Sequence, residues 1–296
     1  MTPEVLCIGV ITLDTIAIVE KYPAEDERVL AESIVRAGGG PAAVASVALA
    51  RLGIPSAIAG TIGNDRDGDF VLEVFEREGV NTEGIARGES PTSGSVIVAS
   101  KEHSSRAIST RQPIHALPLN EAARGIASQV EWIHVDHVGI KQLSPAGISR
   151  GGRAKVSFDA GYGIESFDVN EVDLFAPNEG ALLSRHPGKS VEEGLKIDSE
   201  RAESIVVATQ GSAGSIGYSR ESGIIYAPSF QTEVVSTLGA GDVFHGALVA
   251  SIIQGFPLQE AMRRANAVAA LSCRGLDGQS AIPTTSELNT FLSGVK

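Results

Sequence analysis

The sequence predicts an α/β fold: a three-layer, doubly wound and mostly parallel sheet, with a small β-sheet lid. Three observations lead there. Short apolar runs recur along the chain, the pattern of strands buried on both faces. Segments of helical spacing follow many of them. Four further segments mix polar and apolar residues, as strands with one wet face do.

The elements follow in order. Val5-Leu6-Cys7-Ile8-Gly9-Val10 is a nearly unbroken apolar run, read as a buried parallel strand. Residues 11–20, 29–35, 93–99 and 106–110 are the half-wet strands, the last two joined by a polar turn at 101–105. They are expected to form a small antiparallel sheet apart from the main body. Residues 41–52 make an Ala-rich helix, with Pro41 in its first turn and Gly53 as its stop. A strand at 56–60 precedes a helix at 67–78, stopped by Gly79. Buried strands are expected at 132–135, 155–158, 173–176 and 204–209, and helices at 241–254, 258–273 and 285–292. Strand–helix alternation means a doubly wound sheet, whose ligands sit at the carboxyl ends of its strands. No repeat or low-complexity linker interrupts it. Residues 1–296 are therefore expected to be one domain, with lid insertions at about 11–20, 29–37 and 93–111.

Whole-chain properties narrow the function. The 296 residues are 43% hydrophobic, enough for a large core. A formal net charge of −12 argues against nucleic acid and anionic membranes as partners. Cys7 and Cys273 each sit in an apolar run and are expected to be buried, reduced thiols of a cytoplasmic protein. The N-terminus has no basic region before its apolar stretch, so it does not read as a secretory signal. The longest apolar stretches are far shorter than a membrane span.

Gly239-Ala240-Gly241-Asp242 lies just before an apolar helical run. A helix start offers unpaired N–H groups and the positive end of a dipole. Glycines let backbone approach a phosphate closely. A carboxylate beside an anion site is unfavourable unless it works as a general base, taking a proton from an attacking hydroxyl. The plainer reading is an ordinary helix start with flexible glycines. Val206 to Gly214 is a buried strand running into Thr209-x-Gly211-x-x-Gly214, either a phosphate loop or a hairpin turn into 215–218. It has no Lys and is no Walker A motif. Gly38-Gly39-Gly40 before the first long helix suggests a hinge or a close approach to ligand. Asp14 is either a sugar-hydroxyl acceptor or a solvated strand residue. His134-Val135-Asp136-His137 has no third metal ligand at suitable spacing and reads as a strand end near the cleft. His245 reads as packing.

Together these segments resemble the ribokinase-like (PfkB) carbohydrate kinases over nearly the whole chain. Asp14, the run 38–40, Ile62-Gly63-Asn64-Asp65, Thr209-Gln210-Gly211, Gly239-Ala240-Gly241-Asp242 and Ala265-Asn266-Ala267 occur in the family's order. The resemblance implies an ATP- and Mg2+-dependent sugar kinase with an α/β/α fold and a β lid. It implies Asp242 as base, with Gly239, Ala240 and Gly241 as the anion hole. It places Asp14, Gly39, Gly40, Arg28 and Thr110 on the substrate, and Asn178, Thr209, Gly211, Gly214 and Asn266 on the nucleotide. Within the family the glycine motifs resemble those of bacterial sulfofructose kinases, with fructokinase, ribokinase or nucleoside kinase activity as alternatives.

The departures are informative. Val44 stands where many members have Asn, and Ala181 where the family's Asn-x-x-Glu has Glu. Ser236 replaces an Asp that helps build a monovalent-cation site in relatives, so potassium activation is in doubt. Thr110 and Val138 stand where an Asn and an Arg near a sulfonate are expected, with Arg111 nearby. Aromatic residues are 5% of the chain, which disfavours a nucleoside-stacking lid. A non-catalytic relative is expected to lose the base or the anion hole, and both are present. A dehydrogenase is excluded by the lack of G-x-G-x-x-G after the first strand. Partners are expected to be sugar and ATP, with a possible homodimer through the lid.

Overall fold

The first strand, β1 (Val5–Ile8), is buried on both faces: Val5 and Cys7 enter one apolar core, Leu6 and Ile8 the other. In the computed structural model, which describes residues 2–102, 105–111, 115–161 and 167–295, it lies within a nine-stranded sheet. The expected turn at 101–105 falls partly outside the described residues, at 103–104. The chain then leaves the main sheet as β2 (Thr12–Val19) and β3 (Ala31–Gly39). It returns through α1 (Pro41–Arg51), β4 (Ser56–Gly63), α2 (Arg66–Arg77) and β5 (Asn81–Gly88). A second excursion makes β6 (Gly94–Ser100) and β7 (Ser105–Thr110). The remainder alternates: α3 (Glu121–Ala127), β8 (Trp132–Val135), α4 (Ile140–Leu143), β9 (Lys155–Ala160), β10 (Leu174–Pro177), α5 (Glu179–Arg185), α6 (Val191–Ala202) and β11 (Ile205–Thr209). The hairpin β12 (Ser215–Ser219) and β13 (Gly223–Ala227) precedes α7 (Ala240–Ile253), α8 (Leu258–Ser272) and α9 (Thr285–Gly294).

The main sheet has the order β13-β12-β11-β10-β9-β8-β1-β4-β5. Only β12 runs against the rest, pairing antiparallel with both β11 and β13. β1 pairs in parallel with both β4 and β8, so the winding reverses there. In open α/β sheets that reversal opens a crevice at the strand carboxyl ends. One core packs α1, α2, α7, α8 and α9 against the sheet; the other packs α3, α5 and α6 on the opposite face. The three-layer expectation holds.

The lid is a four-stranded sheet of order β3-β2-β6-β7. Its outer pairs are antiparallel, but β2 and β6 run parallel, because both strands leave the main body at the same end. Its buried apolar seam is small: Ile16, Ala37 and Ile97, with Val35 and Leu238 against them.

Six elements escape the sequence reading: β5, α3, α4, α5, α6 and β13. β5 contains two glycines and is an edge strand with only Gly84 buried, so it lacks the apolar run of a central strand. α6 buries Leu195 and Ala202 behind a charged face and starts on a Ser190/Glu193 capping box. That box was available in the sequence.

Candidate active site

Gly239 caps α7 in the left-handed conformation, with φ 72°. A side chain there would press into the backbone of Gly278, so no other residue fits this turn without strain. Gly241 faces open space. The first-turn N–H groups of α7 therefore face a cleft with no side chain over them. Ser236, just upstream, accepts a hydrogen bond on Oγ from the Leu238 N–H, and its own N–H donates to Cys273 O.

Asp242 stands in that first turn, among other acids. Its carboxyl is pushed well above the usual carboxylate range, first by burial, then by Asp159, with which it shares a hydrogen bond, and by Asp136 and Asp14. Asp136 is fully buried beyond β8, and it anchors the crevice. It accepts the N–H groups of Val10 (2.7 Å), Val138 (2.9 Å) and Gly139 (2.9 Å). Its carboxylate is spent on backbone, which makes it a clamp on the β1 and β8 ends rather than a substrate ligand.

On one side of Gly239–Gly241 lies a cavity of about 360 Å³, lined by Thr209, Gly211, Gly214, Phe244, Asn266 and Cys273 among others. Thr209 ends β11. At Gly214 a side chain would collide with Ala227 O, so the loop needs Gly. Asn266 forms wall rather than a free amide: its Nδ2 donates to Ser215 Oγ (3.1 Å) and Ala227 O (2.8 Å). Asn178 caps α5, accepting the Ala181 N–H and donating to Gly161 O, so both ends of its amide are already engaged. One N–H and one lone pair of the amide remain for the cofactor contact that the resemblance implies for Asn178.

On the other side the lid folds over. Asp14 is half-buried, and its carboxyl is raised by burial despite hydrogen bonds from Thr12 and Ser95. Gly39 packs directly on it; any side chain there would overlap the Asp14 carboxylate. Thr110 pairs with Ser95 across β6–β7 and carries an exposed hydroxyl 3.2 Å from Ser95 Oγ. Arg28 is different. It is exposed in the segment joining β2 to β3, beyond Val19, five strand residues and about 17 Å from Asp14. Within one chain it does not stand beside Asp14. Arg111 donates to Thr92 O (3.0 Å) and buttresses the lid base.

Two features were missed by sequence reasoning. Arg106 of β7 lies on the same lid face as Ile108 and Thr110 and donates to Thr237 Oγ1 (2.8 Å), so it bridges lid and anion-hole loop. Strand alternation of 106, 108 and 110 was a signal for it. The second is His245, read as packing, whose Nδ1 lies 2.7 Å from Asp159 Oδ2. Its i, i+3 spacing from Asp242 was the available signal.

The model of the pfkB family of carbohydrate kinases matches residues 2–148 and 169–285. This chain belongs to that family. The ribokinase of Bacillus subtilis is 25% identical over 98% of this chain and 99% of its own length. The ketohexokinase of Mus musculus is 26% identical over 93% of this chain and 98% of its own. A structure from E. coli, assigned as a ribokinase II and solved with ATP and Mg2+, has a TM-score of 0.85 at 22% identity, covering 99% of each chain. The family is thus one of sugar kinases, and this chain carries its fold from end to end. No helix among the described residues is long and apolar enough to cross a membrane.

Proposed function

We propose that this kinase transfers the γ-phosphoryl group of ATP to a hydroxyl of a small ketose, with Asp242 as general base. One observation carries the reading: a single acid, Asp242, sits in the first turn of α7 between a nucleotide-sized cavity and the carboxylate of Asp14 under the lid. ATP takes the cavity at Thr209, Gly211 and Gly214. The sugar lies between Asp14 and the Gly39–Gly40 backbone. Asp242 accepts the proton of the attacking hydroxyl while the N–H groups of Ala240 and Gly241 meet charge on the transferring group. A carboxyl raised towards the working pH suits that task. Magnesium arriving on ATP supplies charge neutralisation of the phosphates. Such ions are held mainly by phosphate oxygens and water, which fits the lack of any cluster of three His, Cys, Asp or Glu among the described residues.

For the substrate we infer an anionic ketose, of which 6-deoxy-6-sulfofructose is the leading candidate. Arg106 supports this, because it puts a guanidinium on the lid beside the Thr237 loop. Neutral fructose and ribose are the competing reading, supported by the uncharged Thr110 and Val138. An ATP-consumption screen over fructose, ribose, fructose phosphates, sulfofructose, ketodeoxy sugars and nucleosides decides between them. Arg106→Ala is expected to raise KM about 10-fold more for an anionic than for a neutral sugar; equal losses would sink the anionic reading. The outer face of the lid leaves Ile34 67% and Val96 57% exposed, and a second copy is the proposed cover. Sedimentation at micromolar concentration tests it; a monomer refutes it.

A further inference from the structure

Behind Asp242 lies a buried pair of groups with no role in the chemistry above. His245 is one turn along α7, on the face that carries Asp242. Its Nδ1 is 2.7 Å from Asp159 Oδ2, and the side chains are 5% and 4% exposed. The two atoms are at ion-pair distance but are not aligned as a hydrogen bond, and His245 Nε2 has no hydrogen-bond partner either. A neutral imidazole left this way inside the core loses about 1–3 kcal/mol for each unsatisfied nitrogen. A charged one is attracted to Asp159 without needing that alignment. The other Asp159 oxygen accepts the Gly161 N–H (3.0 Å), and the carboxyl also shares a hydrogen bond with Asp242. Asp242, Asp159 and His245 thus form a chain of contacts from the cleft inwards.

The surroundings are acidic. Asp14 comes from β2, Asp136 follows β8, and Asp159 ends β9; the Cys7 thiol of β1 lies near Asp136 and is pushed up by burial. His134 of β8 is a neighbouring basic group, 6.5 Å from His245 between ring centroids. Its Nδ1 is tied to Ser157 Oγ at 2.8 Å, and burial pushes it down to about 4, so it stays neutral. The one charged residue of α1, Arg51, is paired with Glu78, and Arg264 of α8 lies over Phe256. His137, just past β8, faces Asp136; against Asp159 and Asp242 themselves, His245 is the group at ion-pair distance.

We propose that His245 is a positioning residue: held as a cation on Asp159, it lowers the pH at which the neighbouring Asp242 is freed of its proton and able to act as base. This rests on the base role of Asp242. Two hydrogen-bonded carboxyls tend to keep one proton between them. With His245 charged, losing that proton leaves one net negative charge on the three groups. Without it, the loss leaves two.

The two partners should therefore act in opposite directions. His245→Asn is expected to move the acid limb of the kcat profile up by roughly 1–2 pH units, and Asp159→Asn to move it down by a similar amount. KM for the sugar should change less than about twofold in both, since neither residue touches the sugar. Generic damage moves both limbs the same way or neither, and either result overturns the proposal. Nitrogen-15 NMR of the unmodified protein gives a reading independent of turnover and of variant folding. His245 is expected as imidazolium at neutral pH, becoming neutral in Asp159→Asn; a neutral His245 in the unmodified protein overturns the proposal. If no sugar is phosphorylated at all, the base reading fails, and the NMR measurement still reports on the pair.

Discussion

In the proposed function, the nucleotide end of the cleft is made of backbone carried on the main sheet, whereas the sugar end is made of side chains carried on the lid. In that reading Gly239, Gly241, Gly211 and Gly214 act by what they lack, and α7, which Gly239 and Gly241 open, packs into an extensive core. Asp14, Thr110 and Arg106 act by what they carry, on a sheet whose buried seam is only Ile16, Ala37 and Ile97. If the proposal holds, the difference teaches that phosphoryl transfer and sugar choice are separable here. The first needs a rigid arrangement of N–H groups; the second needs groups that can close over the substrate. Few buried contacts give the lid a low cost of opening.

The comparison breaks first at Asp242. Asp242→Asn is expected to lower kcat about 10²–10⁴-fold while sugar binding, read by calorimetry, is largely kept. Near-normal turnover would remove the base from the nucleotide end. The same change should raise stability at neutral pH. The folded-state value of Asp242 is raised, so the folded protein holds that proton more tightly than the unfolded chain. Stability falls as pH climbs from the ordinary carboxylate range through the raised value. The variant loses that slope, and thermal melts at pH 5 and pH 8 check it: its advantage should be larger at pH 8.

At the sugar end, Asp14→Asn is expected to raise KM for the sugar about 10–100-fold and to leave KM for ATP nearly unchanged. A matching rise for ATP would mean that the two ends are not separable. Packing offers a third contrast. Leu248→Ala in the main core should cost about 2–5 kcal/mol in denaturant unfolding. Ile97→Ala in the lid seam should instead speed amide exchange in β2 and β6, with a smaller change in the global midpoint. Equal global losses would show that the lid folds as part of the core. The smallest expected effect is ionic: exchanging potassium for a bulky organic cation should change kcat less than about twofold, because the Ser236 hydroxyl accepts the Leu238 N–H where the family resemblance implies a carboxylate. A large drop contradicts it.

How much was legible follows from the same contrast. The α7 start could be read because Gly-Ala-Gly-Asp before an apolar run is a local signal. The lid strands were visible from alternation, but the parallel β2–β6 pairing was not, since pairing direction depends on where each strand leaves the main body. Arg28 is conspicuous in the sequence as a cation in a turn, whereas Arg106 is placed on the Asp14 face of the lid and beside Thr237 only by strand register. Asp136 reads from sequence only as part of a strand end near the cleft, because its backbone donors lie just past β1 and in the β8–α4 turn, 126 positions apart in the case of Val10.

What the sequence by itself determined is the layered sheet, the glycine motifs and the candidate base, each announced by a local pattern of neighbouring residues. Only the tertiary structure decided that Gly239, Ala240, Gly241 and Asp242 share their cleft with Asp14 and Arg106, and that Asp159 and His245 stand behind the base. The physical reason is burial. A carboxyl changes its chemistry when folding brings other charges to it and removes water, and nothing in the local chain around Asp242 records which charges those will be.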